Sequence, residues 1–68
     1  MEPVPEELRV LLQYLVKHNQ DHATELMDLA VRVKEQGYAG AYDHMVKGVD
    51  LLNESNRSLQ AALTALGE

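Results

Sequence analysis

The sequence predicts an all-α protein, an antiparallel helical hairpin that pairs with a second copy to form a four-helix bundle. Only one short segment, "QGYAGAY" at residues 36–42, contains two closely spaced glycines, the strongest chain-breaking signal in the sequence. On each side of it, apolar residues recur at steps of three and four, which is the period of a packed helix. A chain of 68 residues forms one domain with a modest core, so self-association is expected to supplement its stability.

The first helix is predicted from about Pro5 to about Gln36. Proline suits a first helical position because its missing N–H is not needed there, and the acidic Glu6 and Glu7 favour the positive end of the helix dipole. One apolar stripe, interrupted only by two histidines, runs along this helix; we call it the leucine–histidine stripe: Leu8, Leu11, Leu15, His18, His22, Leu26, Leu29 and Val33. An alternative is a helix boundary near Asn19, which would give a three-helix bundle.

A turn is predicted at residues 37–40, because Gly37 would cap the first helix and Gly40 would allow the chain to turn before the second helix begins. The second helix is predicted from about Ala41 to about Leu66. Its stripe contains one polar residue, Asn56, among seven apolar ones: Tyr42, Met45, Val49, Leu52, Leu59, Leu63 and Leu66. This spacing predicts that the stripe packs against the first helix.

Counting outward from the turn places the polar residues of the two stripes at one level. His22 is then expected beside Asn56 and His18 beside Leu59, with Asn53 nearby. Hydrogen bonds between these imidazole and amide groups would fix the register and the oligomeric state at some cost in stability. The sequence therefore predicts a polar layer of His18, His22, Asn56 and Asn53.

The same two histidines also suggest a metal site, because residues four apart on a helix lie one turn above each other. Glu25 would add a carboxylate ligand, and Ni or Zn would suit such a set. The Glu of the HExxH protease signature is missing, since residue 19 is Asn. A third hypothesis is a pH switch, in which protonation of buried histidines loosens the bundle below about pH 6. His44, near the turn, cannot reach this pair, and its role stays open.

Small residues form a row at seven-residue spacing on the second helix: Ala41, Gly48, Ser55 and Ala62. Small side chains allow another helix to approach closely, so this row predicts a helix-packing interface with a second hairpin. The alternative is that Gly48 is merely a tolerated helix glycine that costs about 1 kcal/mol.

The composition argues against several function classes. The eleven acidic and six basic residues give a net charge of −5, which opposes binding to nucleic acid or anionic membranes. The sequence has no cysteine, no apolar run long enough to span a bilayer and no basic signal segment, so a cytoplasmic protein is expected. No catalytic motif is present and a hairpin offers no deep pocket, so an enzyme is not predicted.

Two segments, "LLQYLVKHNQDHATELMDLA" and "GVDLLNESNRSLQAALTAL", resemble a family of small uncharacterised helical domains with an HNxxHAxE segment. His18, Asn19, His22, Ala23 and Glu25 match that segment. The second helix matches its companion pattern at Asn56, Leu59, Ala62 and Leu63. Some members of the family are associated with nickel-binding accessory proteins, so the resemblance implies a role near metal handling.

These observations lead to two functional expectations. The first is a small non-enzymatic helical accessory protein, a homodimer that binds a transition metal through His18 and His22 in a central polar layer. The alternative is a structural module for homodimerisation or for binding a protein partner, without metal.

Overall fold

The computed structural model describes residues 5–67, which form two long helices joined by a short turn. Helix α1 spans Glu6–Glu35 and helix α2 spans Ala39–Gly67. They pack side by side along their length, and the guanidinium of Arg9 near the start of α1 lies 3.8 Å from where a side chain on Gly67 would begin. The predicted all-α hairpin is therefore confirmed, and the three-helix alternative is wrong because α1 continues unbroken through Asn19.

Glycine ends the first helix as the sequence predicts. Gly37 has a φ of 96°, in the left-handed region that residues with a Cβ rarely adopt. Its N–H donates to the carbonyl of Lys34 at 2.9 Å, and the N–H of Tyr38 donates to the carbonyl of Val33 at 3.3 Å. These two bonds form a Schellman motif. Gly40, expected in the turn, instead lies within the first turn of α2.

The contact between the helices is narrow. Only four apolar residues among those described are buried, Val16, Ala23, Ala30 and Val49, together with the polar Asn56. Near the turn, the Lys34 ammonium lies 4.7 Å from the centre of the Tyr42 ring, which adds a cation–π contact. The alanines on α1 let the two helices come close, but they bury little apolar area.

The leucine–histidine stripe does not face α2, so the predicted register is wrong for α1. Val16, Ala23 and Ala30 take the buried positions, and the stripe residues Leu15, His22 and Leu29 immediately precede them. One residue corresponds to a rotation of about 100° around a helix. The stripe therefore lies on a neighbouring face of α1, where seven of its eight members are exposed and Val33 is half-buried.

The stripe predicted for α2 is confirmed over most of its length. Val49 and Asn56 are buried, while the remaining members except Leu66 are half-buried. The α2 prediction succeeds because most residues of its stripe are at least half-buried against α1, although the half-buried ones keep part of their surface exposed.

Candidate interaction face and histidine pair

Asn56 is the centre of the polar contact between the helices. It is 5% exposed, and its amide nitrogen donates to the backbone carbonyl of Val16 at 3.1 Å. Its amide oxygen accepts a hydrogen bond of 3.2 Å from the amide nitrogen of Asn19. Both sides of the buried amide thus have partners, which avoids the cost of an unsatisfied polar group.

This polar layer has a different membership from the predicted one. Asn19, which was not predicted to belong to the polar layer, provides the side chain that bonds to Asn56. His18 and His22 are exposed on another face, and Asn53 is exposed as well. The signal that could have identified Asn19 is its position between Val16 and Ala23, three residues after one buried residue and four before the next.

The two histidines are close neighbours on the exposed side of α1. Their ring centres are 4.1 Å apart, with the ring planes inclined at 54°. The Tyr14 ring lies one turn earlier and stacks on His18 at 5.6 Å. The pH-switch hypothesis requires buried imidazoles, whereas both His18 and His22 are exposed in a single hairpin. The column of three rings instead presents two imidazoles side by side to any ligand or partner that approaches this face.

Glu25 does not complete a three-ligand site with this pair in a single chain. It lines a shallow groove together with His22, Leu26 and Leu29. Within residues 5–67, however, no group of three His, Asp or Glu side chains is arranged to hold a metal ion. His44 is exposed near the turn, apart from the pair. One chain therefore offers two imidazole ligands, one helical turn apart.

The row of small residues on α2 is also exposed. Ala41, Gly48, Ser55 and Ala62 all contact solvent, and a methyl group added at Gly48 would have no neighbour within 4 Å. Gly48 and Ser55 immediately precede the buried Val49 and Asn56, so the row lies about 100° from the side that meets α1.

The small-residue row and the leucine–histidine stripe lie on the same side of the hairpin. On each helix, the residues of this surface come about one position before the buried residues, so the surface is rotated by about 100° from the side that meets the other helix. The two helices run in opposite directions and face each other, so these two rotations have opposite sense when seen from one end of the hairpin. Both surfaces therefore point to the same side of the hairpin. We call this side the apolar face; it consists of the stripe on α1 and, on α2, Ala41, Met45, Gly48, Leu52, Ser55, Leu59, Ala62 and Leu66.

The opposite side of the hairpin is mainly polar. The residues that immediately follow the buried positions are Lys17, Thr24 and Val31 on α1, and Asp50 and Arg57 on α2. A polar groove there is lined by Gln20, Asn53, Asn56, Arg57 and Gln60. The hairpin is thus two-sided, with leucines concentrated on one side and charged and amide groups on the other.

Among the described residues, neither helix is apolar enough over a sufficient length to cross a membrane. The net charge of −5 also distinguishes the hairpin from helices that lie on anionic lipid, which carry clusters of Lys and Arg.

Comparison with known proteins identifies one family. Residues 8–66 match the model of a family described as "Domain of unknown function (DUF8180)". No curated protein matches the chain, and no solved structure matches it. The match includes nearly all of α1 and α2, so the chain belongs to this family of domains of unknown function.

Proposed function

We propose that the protein is a non-enzymatic helical interaction module whose apolar face mediates homodimerisation into a four-helix bundle. The observation that carries this proposal is the exposure of leucines along one side of the hairpin, on both flanks of the histidine pair. Five of them, Leu8, Leu11, Leu15, Leu26 and Leu29, are between 40% and 54% exposed. Contiguous apolar surfaces of this kind on soluble proteins usually mark interaction sites.

The surface area of the hairpin supports the same proposal. Its accessible surface is 5389 Å², whereas a compact monomer of 7.6 kDa is expected to expose about 4,300 Å². Its radius of gyration is 15.8 Å, compared with about 11 Å for a compact domain of this length. The excess surface, roughly 1,100 Å², is comparable to the ~800 Å² that each partner buries in a standard protein interface.

The test is sedimentation equilibrium of the wild-type protein and two matched variants. Leu15 on the apolar face and Val31 on the polar side are each 43% exposed. We expect a dimer mass for the wild type and for Val31→Lys, and a monomer mass for Leu15→Lys, because the new ammonium would be buried only on the apolar face. A monomeric wild type at high micromolar concentration, or equal effects of the two variants, would contradict the proposal.

We propose transition-metal binding as a second function, supported by the 4.1 Å separation of the His18 and His22 rings. Imidazoles one helical turn apart on an exposed surface are suited to bidentate coordination of Ni or Zn. Within residues 5–67 no third His, Asp or Glu completes the set in one chain, so water or a partner would supply the remaining positions.

Calorimetric titration of Ni and Zn into chelator-stripped protein tests this second function. Micromolar binding is expected for the wild type and for the His44→Ala control, and loss of binding for the His18→Ala, His22→Ala double variant. Binding that survives in the double variant would exclude the pair as the ligands. Absence of binding in the wild type would leave the interaction module as the function.

A further inference from the structure

The leucine–histidine stripe is nearly symmetric about its own centre. His18 and His22 lie two residues to either side of Gln20, and Leu11 and Leu29 lie nine residues to either side. Leu15 and Leu26 lie five residues before and six residues after Gln20, and Leu8 and Val33 lie twelve before and thirteen after it. Read in either direction, the stripe presents leucines, then two histidines, then apolar residues. A surface with this order is complementary to a second copy of itself running in the opposite direction, as a two-fold interface requires.

The part of the apolar face that lies on α2 has the same property. Met45 and Leu59 lie seven residues to either side of Leu52. The small residues are nearly symmetric about Leu52 as well. Ala41 and Ala62 lie eleven residues before and ten after it, and Gly48 and Ser55 lie four before and three after it. An antiparallel copy of α2 would therefore place a small residue opposite a small residue, and Leu52 opposite the Leu52 of the partner subunit.

One axis serves both helices. Asn56, four residues after Leu52, bonds to the carbonyl of Val16, four residues before Gln20. The centre of symmetry on α1 thus lies beside the centre on α2. Two independent sequence symmetries that meet at one level of the hairpin favour a second copy over an unrelated protein as the occupant of the apolar face.

The charges at the border of the stripe are consistent with the same orientation. Glu7 and Arg32 flank the stripe on the same side of α1, about equally far from Gln20. In an antiparallel helix pair, flanks of the same side meet, so each Glu7 would approach Arg32 of the partner subunit. Exposed ion pairs of this kind contribute little stability but select orientation.

We infer that two hairpins pack antiparallel about a two-fold axis at the level of Gln20 and Leu52, and that this axis assembles one four-imidazole site for a divalent transition-metal ion. His18 and His22 of one chain would meet the same pair from the second chain. A single chain supplies two ligands, whereas four imidazoles satisfy the tetrahedral preference of Zn or Co. The inference rests on the proposed dimer, and it adds the identity of the partner, its orientation and a site that neither chain completes alone.

Cysteine cross-linking tests the orientation, because the natural chain has no cysteine. Leu52→Cys is expected to form a covalent dimer on mild oxidation, since residue 52 faces its own copy across the axis. Leu59→Cys is the matched control, also half-buried on the same helix, and should not cross-link because it faces Met45 of the partner subunit. Circular dichroism of both variants establishes that they remain helical.

The outcomes separate this inference from the proposed function. Cross-linking of both variants to equal extents would indicate a parallel dimer and overturn the inferred axis. A dimer in sedimentation whose Leu52→Cys variant fails to cross-link would overturn the axis while leaving the interaction module intact. A monomeric wild type would overturn both.

Cobalt titration tests the shared site. We expect an endpoint at half an equivalent of Co per chain, with the intense visible absorption of tetrahedral cobalt, and loss of this absorption in His22→Ala but not in His44→Ala. An endpoint at one equivalent per chain would show that each histidine pair binds its own ion. A cross-linked Leu52→Cys dimer that binds no cobalt would overturn the site.

Discussion

At the scale of single residues, Asn56 determines the alignment of the two helices. A buried amide is tolerated there because its nitrogen bonds to the Val16 carbonyl and its oxygen accepts from Asn19. In another alignment the buried amide would lose these two partners. The polar contact therefore selects one alignment, much as a single buried Asn does in a coiled coil.

The first prediction concerns this contact. Asn56→Ala is expected to lower the free energy of unfolding by about 1–3 kcal/mol, because Asn19 loses its partner and a small cavity forms. Urea denaturation at fixed protein concentration measures the change. Asn53→Ala, on the same helix but exposed, should change stability by no more than about 0.5 kcal/mol. Equal effects of the two substitutions would contradict the role assigned to Asn56.

The prediction of the polar residues succeeded for Asn56 and failed for its partners. The failure has a physical cause: the largest apolar side chains of α1 were expected to face α2, whereas Ala23 and Ala30 occupy that side. Hydrophobicity identifies residues that favour burial, but it does not specify which of two neighbouring surfaces they cover. The pairing of Asn19 with Asn56 depends on the rotation of α1, which the stripe alone does not determine.

At the scale of the elements, the turn was easier to predict than the helix rotation. A left-handed residue is needed where α1 ends, and the sequence offers glycine at Gly37. The helix boundaries were predicted within two residues, because Pro5 and Gly37 act locally and independently of packing. The identity of the face that meets α2 is a tertiary property and therefore needed the structure.

The second prediction uses the two glycines near the turn. Gly37→Ala is expected to destabilise the protein by about 1 kcal/mol, because alanine is strained at a φ of 96°. Gly40→Ala, in α2 with open space around it, is expected to stabilise by about 0.5–1 kcal/mol through helix propensity. Thermal and urea unfolding measure both. Changes of the same sign in the two variants would be inconsistent with the conformations described here.

At the scale of the whole molecule, the hairpin has a long contact but little core. No large side chain among the described residues is fully buried, and the principal dimensions are 54 × 15 × 11 Å. Two helices side by side cover only part of each other's surface. A second layer of helices on the apolar face would supply the missing burial and produce the bundle arrangement.

The third prediction follows from the proposed dimer. If folding and dimerisation are coupled, the melting temperature of the wild type should rise with protein concentration, because mass action favours the associated native state. Melts over a hundredfold concentration range measure the effect. Leu15→Lys should melt at a lower temperature that does not change with concentration, and a concentration-independent wild type would argue against coupled assembly.

The close approach of Arg9 and Gly67 has a further consequence for anything attached to the chain. Both ends of the described segment lie at the same end of a rod 54 Å long. In a single hairpin, two fused labels would therefore be neighbours. In the antiparallel pair, the labels of one chain would lie at one end of the rod and those of the partner chain at the other end. The dimer would then hold the segments attached to its two chains about 50 Å apart.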